Sequence, residues 1–330
     1  MSADIRQFGN TVDGRAVLAV CLRAGGLRAV VLSWGAVLQD MRLQGADWPL
    51  TLGSAELAAY QAEMGYFGAI VGPVANRIGG AKAVIAGRLC PFAANEGTTL
   101  LHGGTGGTQQ RLWEIVTADK SHLTLRLALA DGDGGFPGNR VIEAHYRLKP
   151  PATLMLNITA TSDAPSLMNL ANHSYWNLDG TGTIAGHRLR LAADSWLPTV
   201  AGLPTGERRA AAGVFDLRQG RVLDLCEGYD HNFCLATAPR ALTEVAELQG
   251  RRGVRLRIAT TEPGMQVYDG ALLTSGAFAG HGGQPYRPFQ GLALEAQRWP
   301  DAPNHPDFPP ITLTPGESYS QQTRFSFAKG

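Results

Sequence analysis

Short runs of alternating apolar and polar residues, separated by glycine and proline, are the feature that most limits what this chain can fold into. Side chains in a strand point alternately to two faces, so such runs are typical of strands that bury one face. Forty-one glycines and 19 prolines supply the turn signals between them. Many short strands with frequent turns predict an all-β sandwich or barrel. The clearest runs cover residues 16–23 (AVLAVCLR), 28–34 (RAVVLSW), 122–129 (HLTLRLAL), 140–149 (RVIEAHYRLK), 153–161 (TLMLNITAT), 253–261 (GVRLRIATT) and 319–327 (YSQQTRFSF).

One short segment predicts a helix. Residues Ser54–Glu63 (SAELAAYQAE) carry helix-forming residues, with Ser54 as the expected N-cap. No linker, low-complexity segment or internal repeat divides the chain, and large all-β folds often exceed the average domain length. We therefore predict a single domain over residues 1–330 with few short helices.

Charge and cysteine content exclude several classes of protein. The net charge is +1, from 29 basic and 28 acidic residues, which gives no electrostatic basis for binding nucleic acid or an anionic membrane. The sequence lacks a signal peptide and any apolar stretch of membrane-spanning length, so a cytoplasmic protein is expected. Without CxxC, HxH or HExxH spacing, neither a disulfide framework nor a metal site is expected. The cysteines concerned are Cys21, Cys90, Cys226 and Cys234.

The stretch NLANHSYWNLDG, residues 169–180, has an unusual composition for a strand. A core face would carry Val and Ile, and a plain solvent face would carry Lys, Glu and Thr. This face instead presents amide, imidazole and phenol groups together, which indicates a surface for a polar ligand. Read as one strand, the segment places on one face Asn169, Ala171, His173, Tyr175 and Asn177.

Several other polar residues stand inside strand-like segments. Asn76 and Arg77 end an apolar run, His102 lies between leucines and glycines, Asp230 precedes a strand, and Glu295 lies in mid-strand. Taken singly, each fits an ordinary structural explanation, such as a strand end, a core histidine, a turn or an edge-strand charge.

Taken together, these residues form a set suited to a sugar. Aspartate accepts hydrogen bonds from vicinal hydroxyls, and arginine donates to ring and hydroxyl oxygens. An aromatic residue such as Trp176 or Trp299 would cover the apolar C–H face of the ring.

Six motifs in chain order resemble those of the aldose 1-epimerase (galactose mutarotase) family. The resemblance extends from the strands before Gly68 to the C-terminal FSF. It implies a large antiparallel β-sandwich, the galactose mutarotase-like supersandwich, with an open sugar cleft. The motifs are NRIGG, LHGG, NLANHSYWNLDG, GYDHNF, TTEPGMQVY and LEAQRWPDAPNHPDFPP, the last followed by LTPGESY.

The resemblance also implies residue roles. Glu295 would be the general base and His173 the general acid, in an isomerase that needs neither cofactor nor metal. Strict alternation would send Asn76 and Arg77 to opposite faces, so both can reach a ligand only across a bulge or turn. The sugar-binding residues would be Asn76, Arg77, His102, Asp230 and Gln266, with Tyr175 and Trp176 beside His173 in the cleft.

In the implied reaction, Glu295 takes the proton of the anomeric hydroxyl while His173 protonates the ring oxygen. The ring opens to the aldehyde, the C1–C2 bond rotates, and the ring closes with the two roles reversed. Ordinary pKa values, about 4.3 for glutamate and about 6.5 for histidine, leave the carboxylate ionised at neutral pH. We expect a nearby carboxylate to raise the cationic fraction of His173.

Two alternatives stay open at this point. A hexose-phosphate mutarotase would need a basic cluster at the cleft, for which Arg77 and Arg298 are the candidates. A non-catalytic carbohydrate-binding or sensor protein would not need the Glu295–His173 pair. Expected partners are a small sugar and, at most, a second copy in a homodimer. The sequence departs from the family pattern at Pro73, Glu262, Asp269 and Ala296, which leaves open which sugar is favoured.

Overall fold

The structure, a computed structural model, describes residues 3–225 and 227–330. The first half contains β1 (Asp4–Asn10), β2 (Ala16–Ala24), β3 (Leu27–Leu32), β4 (Leu38–Leu43), β5 (Ile70–Val71), β6 (Arg77–Ile78), β7 (Lys82–Ile85), β8 (Arg88–Pro91), β9 (Leu100–Leu101), β10 (Glu114–Ala118), β11 (His122–Leu129), β12 (Arg140–Lys149), β13 (Thr153–Ser162), β14 (Ser166–Leu167), β15 (Ala171–Asn172) and β16 (Tyr175–Trp176). The second half contains β17 (Arg188–Leu191), β18 (Ser195–Trp196), β19 (Thr199–Val200), β20 (Leu203–Pro204), β21 (Arg209–Ala210), β22 (Arg221–Val222), β23 (Asp230–Cys234), β24 (Thr243–Gln249), β25 (Val254–Thr260), β26 (Gly264–Tyr268), β27 (Leu292–Gln297), β28 (Thr312–Leu313) and β29 (Tyr319–Lys329).

Helical structure is confined to short segments. One α-helix, α1, covers Leu57–Gln61. The prediction of a helix at Ser54–Glu63 was right about its existence and wrong about both ends. Ser54 is not the N-cap, because Tyr60 Oη binds its backbone and Glu56 occupies the cap position in an extended conformation. Short 3₁₀ turns lie at Gly79–Ala81, Gly104–Gly106, Thr108–Gln110, Asp133–Gly135, Gly213–Phe215 and Ala302–Asn304.

The largest sheet has nine strands in the order β10-β11-β12-β13-β29-β25-β24-β17-β22. Neighbouring strands in it run antiparallel. Along β12 and β13 the burial alternates residue by residue, as the sequence pattern predicts for strands with one core face. Five of the seven runs predicted as strands lie in this sheet, and the other two form β2 and β3, so the predicted strands are confirmed.

A six-stranded antiparallel sheet, β16-β27-β26-β23-β18-β21, packs its inner face against the nine-stranded sheet. Trp176 of β16 shows this most directly, since its ring centroid lies 5.4 Å from that of Phe325 and 5.7 Å from that of Phe327 on β29. The predicted antiparallel β-sandwich is confirmed. The outer face of the six-stranded sheet is left free to carry polar side chains.

A four-stranded antiparallel sheet, β1-β2-β3-β4, extends the same hydrophobic core at the N-terminal end. Cys21, Cys90 and Cys234 are buried free thiols, and Cys226 lies outside the described residues. In the described part of the chain, no helix combines the length and the apolarity that a membrane crossing would require.

Candidate active site

The outer face of the six-stranded sheet carries three polar side chains on adjacent strands. Glu295 of β27 stands directly opposite Gln266 of β26, and Asp230 of β23 lies two residues along from the partner of Gln266. Since Leu292 and Leu294 of β27 point into the core, alternation turns Glu295 outward. The register of three strands therefore brings these groups together from distant parts of the sequence.

Asn76 and Arg77 reach the same place because the backbone breaks the alternation. Asn76 has a left-handed conformation, with φ of 63°. Its Oδ1 accepts a hydrogen bond from the backbone N–H of Arg77, which holds this tight turn at the start of β6. A bulge or turn was expected here from the sequence, because only then can both side chains face the same ligand.

His102 is fixed by a reciprocal pair of hydrogen bonds with Asn76. Its backbone N–H donates to the carbonyl of Asn76 at 2.9 Å, and its Nδ1 accepts from the backbone N–H of Asn76 at 3.0 Å. Burial, reinforced by the charge of Arg77 and the proximity of His173, lowers the pKa of His102 well below its usual value. The neutral ring therefore carries its proton on Nε2, where it can donate into the site.

His173 lies between β15 and β16, and hydrogen bonds of its backbone to Gly68 and Ala69 fix its position. Its N–H donates to the carbonyl of Ala69 and its carbonyl accepts from the N–H of Gly68, both at 2.9 Å. The ring of Tyr66 stacks on the imidazole, with centroids 6.0 Å apart and planes 22° apart. His173 Nε2 lies 3.5 Å from Oε1 of Glu295.

These side chains line one cavity of about 250 Å³. Eight of the nine site residues expected from the sequence meet there: Asn76, Arg77, His102, His173, Tyr175, Asp230, Gln266 and Glu295. The remaining lining residues are Tyr66, Glu96, Leu101, Tyr268 and Leu272.

Trp176 is the expected site residue that the structure does not bring to the cavity. It follows Tyr175 in β16, so its side chain points to the opposite face and is fully buried in the sandwich core. Trp299 is buried elsewhere, where its Nε1 donates to the carbonyl of Pro263. The aromatic surface of the cavity comes instead from Tyr66, Tyr175 and Tyr268.

Asn169 and Asn177, the asparagines on either side of His173, do not line the cavity and instead bind backbone groups. Both Asn169 side-chain atoms bind the backbone of Arg298. The Oδ1 of Asn177 accepts from two backbone N–H groups of the following turn. The reading of residues 169–177 as one continuous ligand face was wrong, because the segment is two short strands joined through His173 and Ser174.

Burial determines the protonation of Glu295 and His173. Desolvation raises the pKa of Glu295 from 4.5 to about 8, and the charge of Asp230 acts in the same direction. Desolvation lowers the pKa of His173 from 6.5 to about 4. At pH 7 the pair therefore holds one proton, on the carboxyl group. The expectations that Glu295 is ionised at neutral pH and that a nearby carboxylate makes His173 more cationic were wrong, because burial disfavours the charged form of both groups.

Gln266, Asp230 and Arg77 form a second cluster of polar side chains in the cavity. Gln266 Nε2 donates to Asp230 Oδ1 at 2.7 Å, and Arg77 Nη1 lies 3.7 Å from Asp230 Oδ2. Among the described residues, no partner binds the buried Oε1 of Gln266, the Oε2 of Glu295 or the Nδ1 of His173. A polyol offers both donors and acceptors, so it can satisfy groups of this kind.

His102, His173 and Glu295 also place one potential metal-ligating atom each within 4.8 Å of the others. The hydrogen bond to His102 argues against a metal centre. Its Nδ1 lone pair is taken by the N–H of Asn76, and its Nε2 carries the proton. A metal ion would need a free lone pair on that ring, so these residues do not fit one.

Of the lining residues that sequence reasoning missed, Tyr268 had a usable signal. It lies two residues after Gln266 in β26, and residues two apart in a strand share a face. Tyr66, Glu96 and Leu272 come from connecting segments, where periodicity gives no indication of direction.

Comparison with known proteins extends over nearly the whole chain. A family model described as Aldose 1-epimerase matches residues 19–326, a range that includes every residue lining the cavity. The chain is 33% identical over 335 residues to the aldose 1-epimerase of Escherichia coli (strain K12), with 96% of each protein covered. It is 36% identical over 328 residues to the galactose mutarotase of Rattus norvegicus, covering 96% of this chain and 95% of the relative. Among solved structures, an aldose epimerase homologue from C. elegans aligns with a TM-score of 0.88 at 28% identity, covering 94% of this chain and 99% of that one.

Proposed function

The chain belongs to the aldose 1-epimerase family, and on that premise we propose that it interconverts the α and β anomers of a free aldose such as galactose or glucose. It is an isomerase that acts on carbohydrates. The observation that carries the proposal is the meeting of the buried side chains of Glu295 and His173, 3.5 Å apart, in a cavity lined by hydrogen-bonding side chains.

Glu295 and His173 perform the chemistry by moving protons. The carboxylate of Glu295 takes the proton of the anomeric hydroxyl while the imidazolium of His173 protonates the ring oxygen. The C1–O5 bond breaks, C1 becomes an aldehyde, and rotation about C1–C2 presents the other face. Ring closure reverses both transfers. Acid/base groups of this kind contribute roughly 10²- to 10⁴-fold each.

Burial favours one proton arrangement of this reaction. The closed sugar reacts when the proton is on His173 and Glu295 is ionised, whereas the open-chain sugar leaves the proton on Glu295 and His173 neutral. The second arrangement carries no charge on either group, so desolvation stabilises it. Both arrangements hold one proton. The positive charge of Arg77 lowers the pKa of Glu295 and so favours the ionised carboxylate that reacts with the closed sugar. The cavity is thus suited to stabilise the ring-opened intermediate.

The other lining groups would bind and orient the sugar. His102 Nε2 and Arg77 Nη1 would donate to sugar oxygens, Asp230 would accept from hydroxyls, and Gln266 Oε1 would accept one more. Tyr66 and Tyr175 would pack on the apolar face of the ring. Asn76 would act mainly through the turn that aims His102 and Arg77.

Polarimetry tests the proposal. Freshly dissolved α-D-glucose or α-D-galactose should reach its anomeric equilibrium faster with catalytic amounts of the protein than in buffer alone. A panel of neutral aldoses that shows no acceleration would leave a carbohydrate-binding protein as the better explanation.

Three expectations from the sequence complete the proposal and stay predictions: one domain over residues 1–330, a monomer or homodimer, and a cytoplasmic location. The reaction moves only protons, so the proposal includes no cofactor.

A further inference from the structure

Glu96 is a lining residue of the cavity that the proposed chemistry does not use. It lies in the connection between β8 and β9, and its side chain is 42% exposed at the cavity rim. Reciprocal backbone hydrogen bonds between Glu96 and Thr99, at 3.1 and 2.9 Å, hold the turn that carries it. The carboxylate is therefore presented to the cavity from a defined position.

Glu96 binds Arg77 with both of its oxygens. Arg77 Nε donates to Oε2 at 2.5 Å, and Arg77 Nη2 donates to Oε1 at 2.9 Å. This fork is the geometry with which arginine binds a phosphate or carboxylate of a ligand. Glu96 occupies that edge of the guanidinium, so a ligand can reach the Nη1 edge, which also faces Asp230 and the carbonyl of Gly202.

Arg77 is the one lysine or arginine among the described residues that line this cavity. The hydrogen bonds from Arg77 lower the pKa of Glu96, which is therefore ionised at neutral pH. Glu96 thus offsets the charge of Arg77, and the carboxylate of Asp230 adds a second negative charge. Burial keeps His102 and His173 neutral, so neither supplies a compensating positive charge at pH 7.

We propose that Glu96 is a specificity-determining residue that excludes anionic sugars by neutralising Arg77 and occupying its fork. The inference rests on the proposed mutarotase function and names the substrate class of the same site. A phosphorylated sugar or a sugar acid would meet a cavity with no free cationic fork. A neutral aldose needs only single hydrogen bonds, which the Nη1 edge of Arg77 still provides.

Exchange NMR at anomeric equilibrium tests this, because it measures anomer interconversion in neutral and anionic sugars alike. D-glucose, D-glucuronate and D-glucose 6-phosphate would be compared with the parent and with Glu96→Gln. The parent should prefer glucose. Removing the charge should narrow the ratio of kcat/KM for glucose to kcat/KM for the anionic sugars by about tenfold, the scale of one screened charge interaction at the cavity rim. Most of this change should come from a lower KM for the anions.

Two further variants separate charge from structure. Glu96→Asp retains the charge and should retain most of the parent's discrimination, whereas Glu114→Gln on the exposed strand β10 should leave the ratio unchanged. A parent that converts glucuronate as well as glucose would overturn the inference, as would a Glu96→Gln variant that loses activity equally toward all three sugars. Proteins inert toward every sugar would overturn the proposed function itself, which makes the two failures distinguishable.

Discussion

The Nε2 atom of His173 lies 3.5 Å from the Oε1 atom of Glu295, and less than a tenth of either side chain is exposed. Because burial favours the neutral form of each group, the pair keeps one proton over a wide range of pH. That single shared proton is what the proposed reaction requires.

The pH dependence of activity should show this directly. Activity should be constant while the pair holds one proton. It should fall below pH about 4, where His173 also becomes protonated, and above pH about 8, where Glu295 loses its proton. The measurement is kcat/KM across pH, with the spontaneous rate subtracted, since this quantity reports the free enzyme. An alkaline limb near 6.5, the ordinary value for histidine, would contradict the account.

The tautomer of His102 is a second expectation. Long-range proton–nitrogen NMR of labelled protein should show its proton on Nε2 and an unprotonated Nδ1, because Nδ1 accepts from the N–H of Asn76. The signals should titrate at a pH well below the ordinary range for histidine, since burial lowers the pKa of His102 well below its usual value. A proton on Nδ1 in the free protein would show that the site is arranged differently.

Gln266→Ala should weaken sugar binding more than it slows chemistry. The change removes the amide that holds Asp230 at 2.7 Å and the unpartnered Oε1 that faces the cavity. The binding free energy lost with about one hydrogen bond should raise KM about tenfold, with a smaller effect on kcat. Steady-state polarimetry measures both, and Gln322→Ala on the exposed face of β29 is the matched control. A lower kcat at unchanged KM would instead assign Gln266 to the chemical step.

Glu262 gives a prediction about stability, away from the cavity. Burial raises its pKa from 4.5 to about 7, although Arg298 Nε lies 3.4 Å from its Oε2. A raised pKa stabilises the fold below pH about 4.5, and this contribution disappears as pH rises through about 7. As the pH rises from 5 to 8, the free energy of unfolding of Glu262→Gln should therefore increase relative to that of the parent, by an amount on the order of 2 kcal/mol. Urea unfolding of both proteins at pH 5 and at pH 8 measures this difference.

Glu114→Gln, on the exposed strand β10, is the control for that comparison and should show no such gain. If Glu262→Gln instead lost stability as the pH rose, the buried carboxylate would be stabilising in its ionised form.

The fold was predictable because it depends on a local property. Period-two alternation fixes which residues of a strand face the core, and the runs at β12, β13 and β29 show it over most of their length. Strand order and pairing were not predictable in this way. They depend on contacts between distant segments, such as that between β13 and β29.

The site was predictable in part, chiefly through resemblance to a known family. The same alternation that predicts the strands excludes Trp176 once Tyr175 is placed in the cavity. The left-handed turn at Asn76 could not be derived from the sequence, because asparagine only tolerates that conformation and does not require it. Glu96 was missed because nothing in its local sequence says that Arg77, 19 positions earlier, is its partner.

Catalysis by the proposed mechanism depends most on the Glu295–His173 pair, and substitution of each residue tests this directly. Anomer exchange of α-D-glucose or α-D-galactose should be measured by polarimetry for Glu295→Gln, His173→Asn and the double variant, with circular dichroism to verify folding and Glu114→Gln as control. We predict that each single change lowers kcat/KM by about a thousandfold, and that the double variant is scarcely worse, because the two groups act on one proton transfer cycle. A folded single variant that keeps its kcat/KM within about tenfold of the parent would contradict the account, since acid/base catalysis by the missing group should be worth more than that.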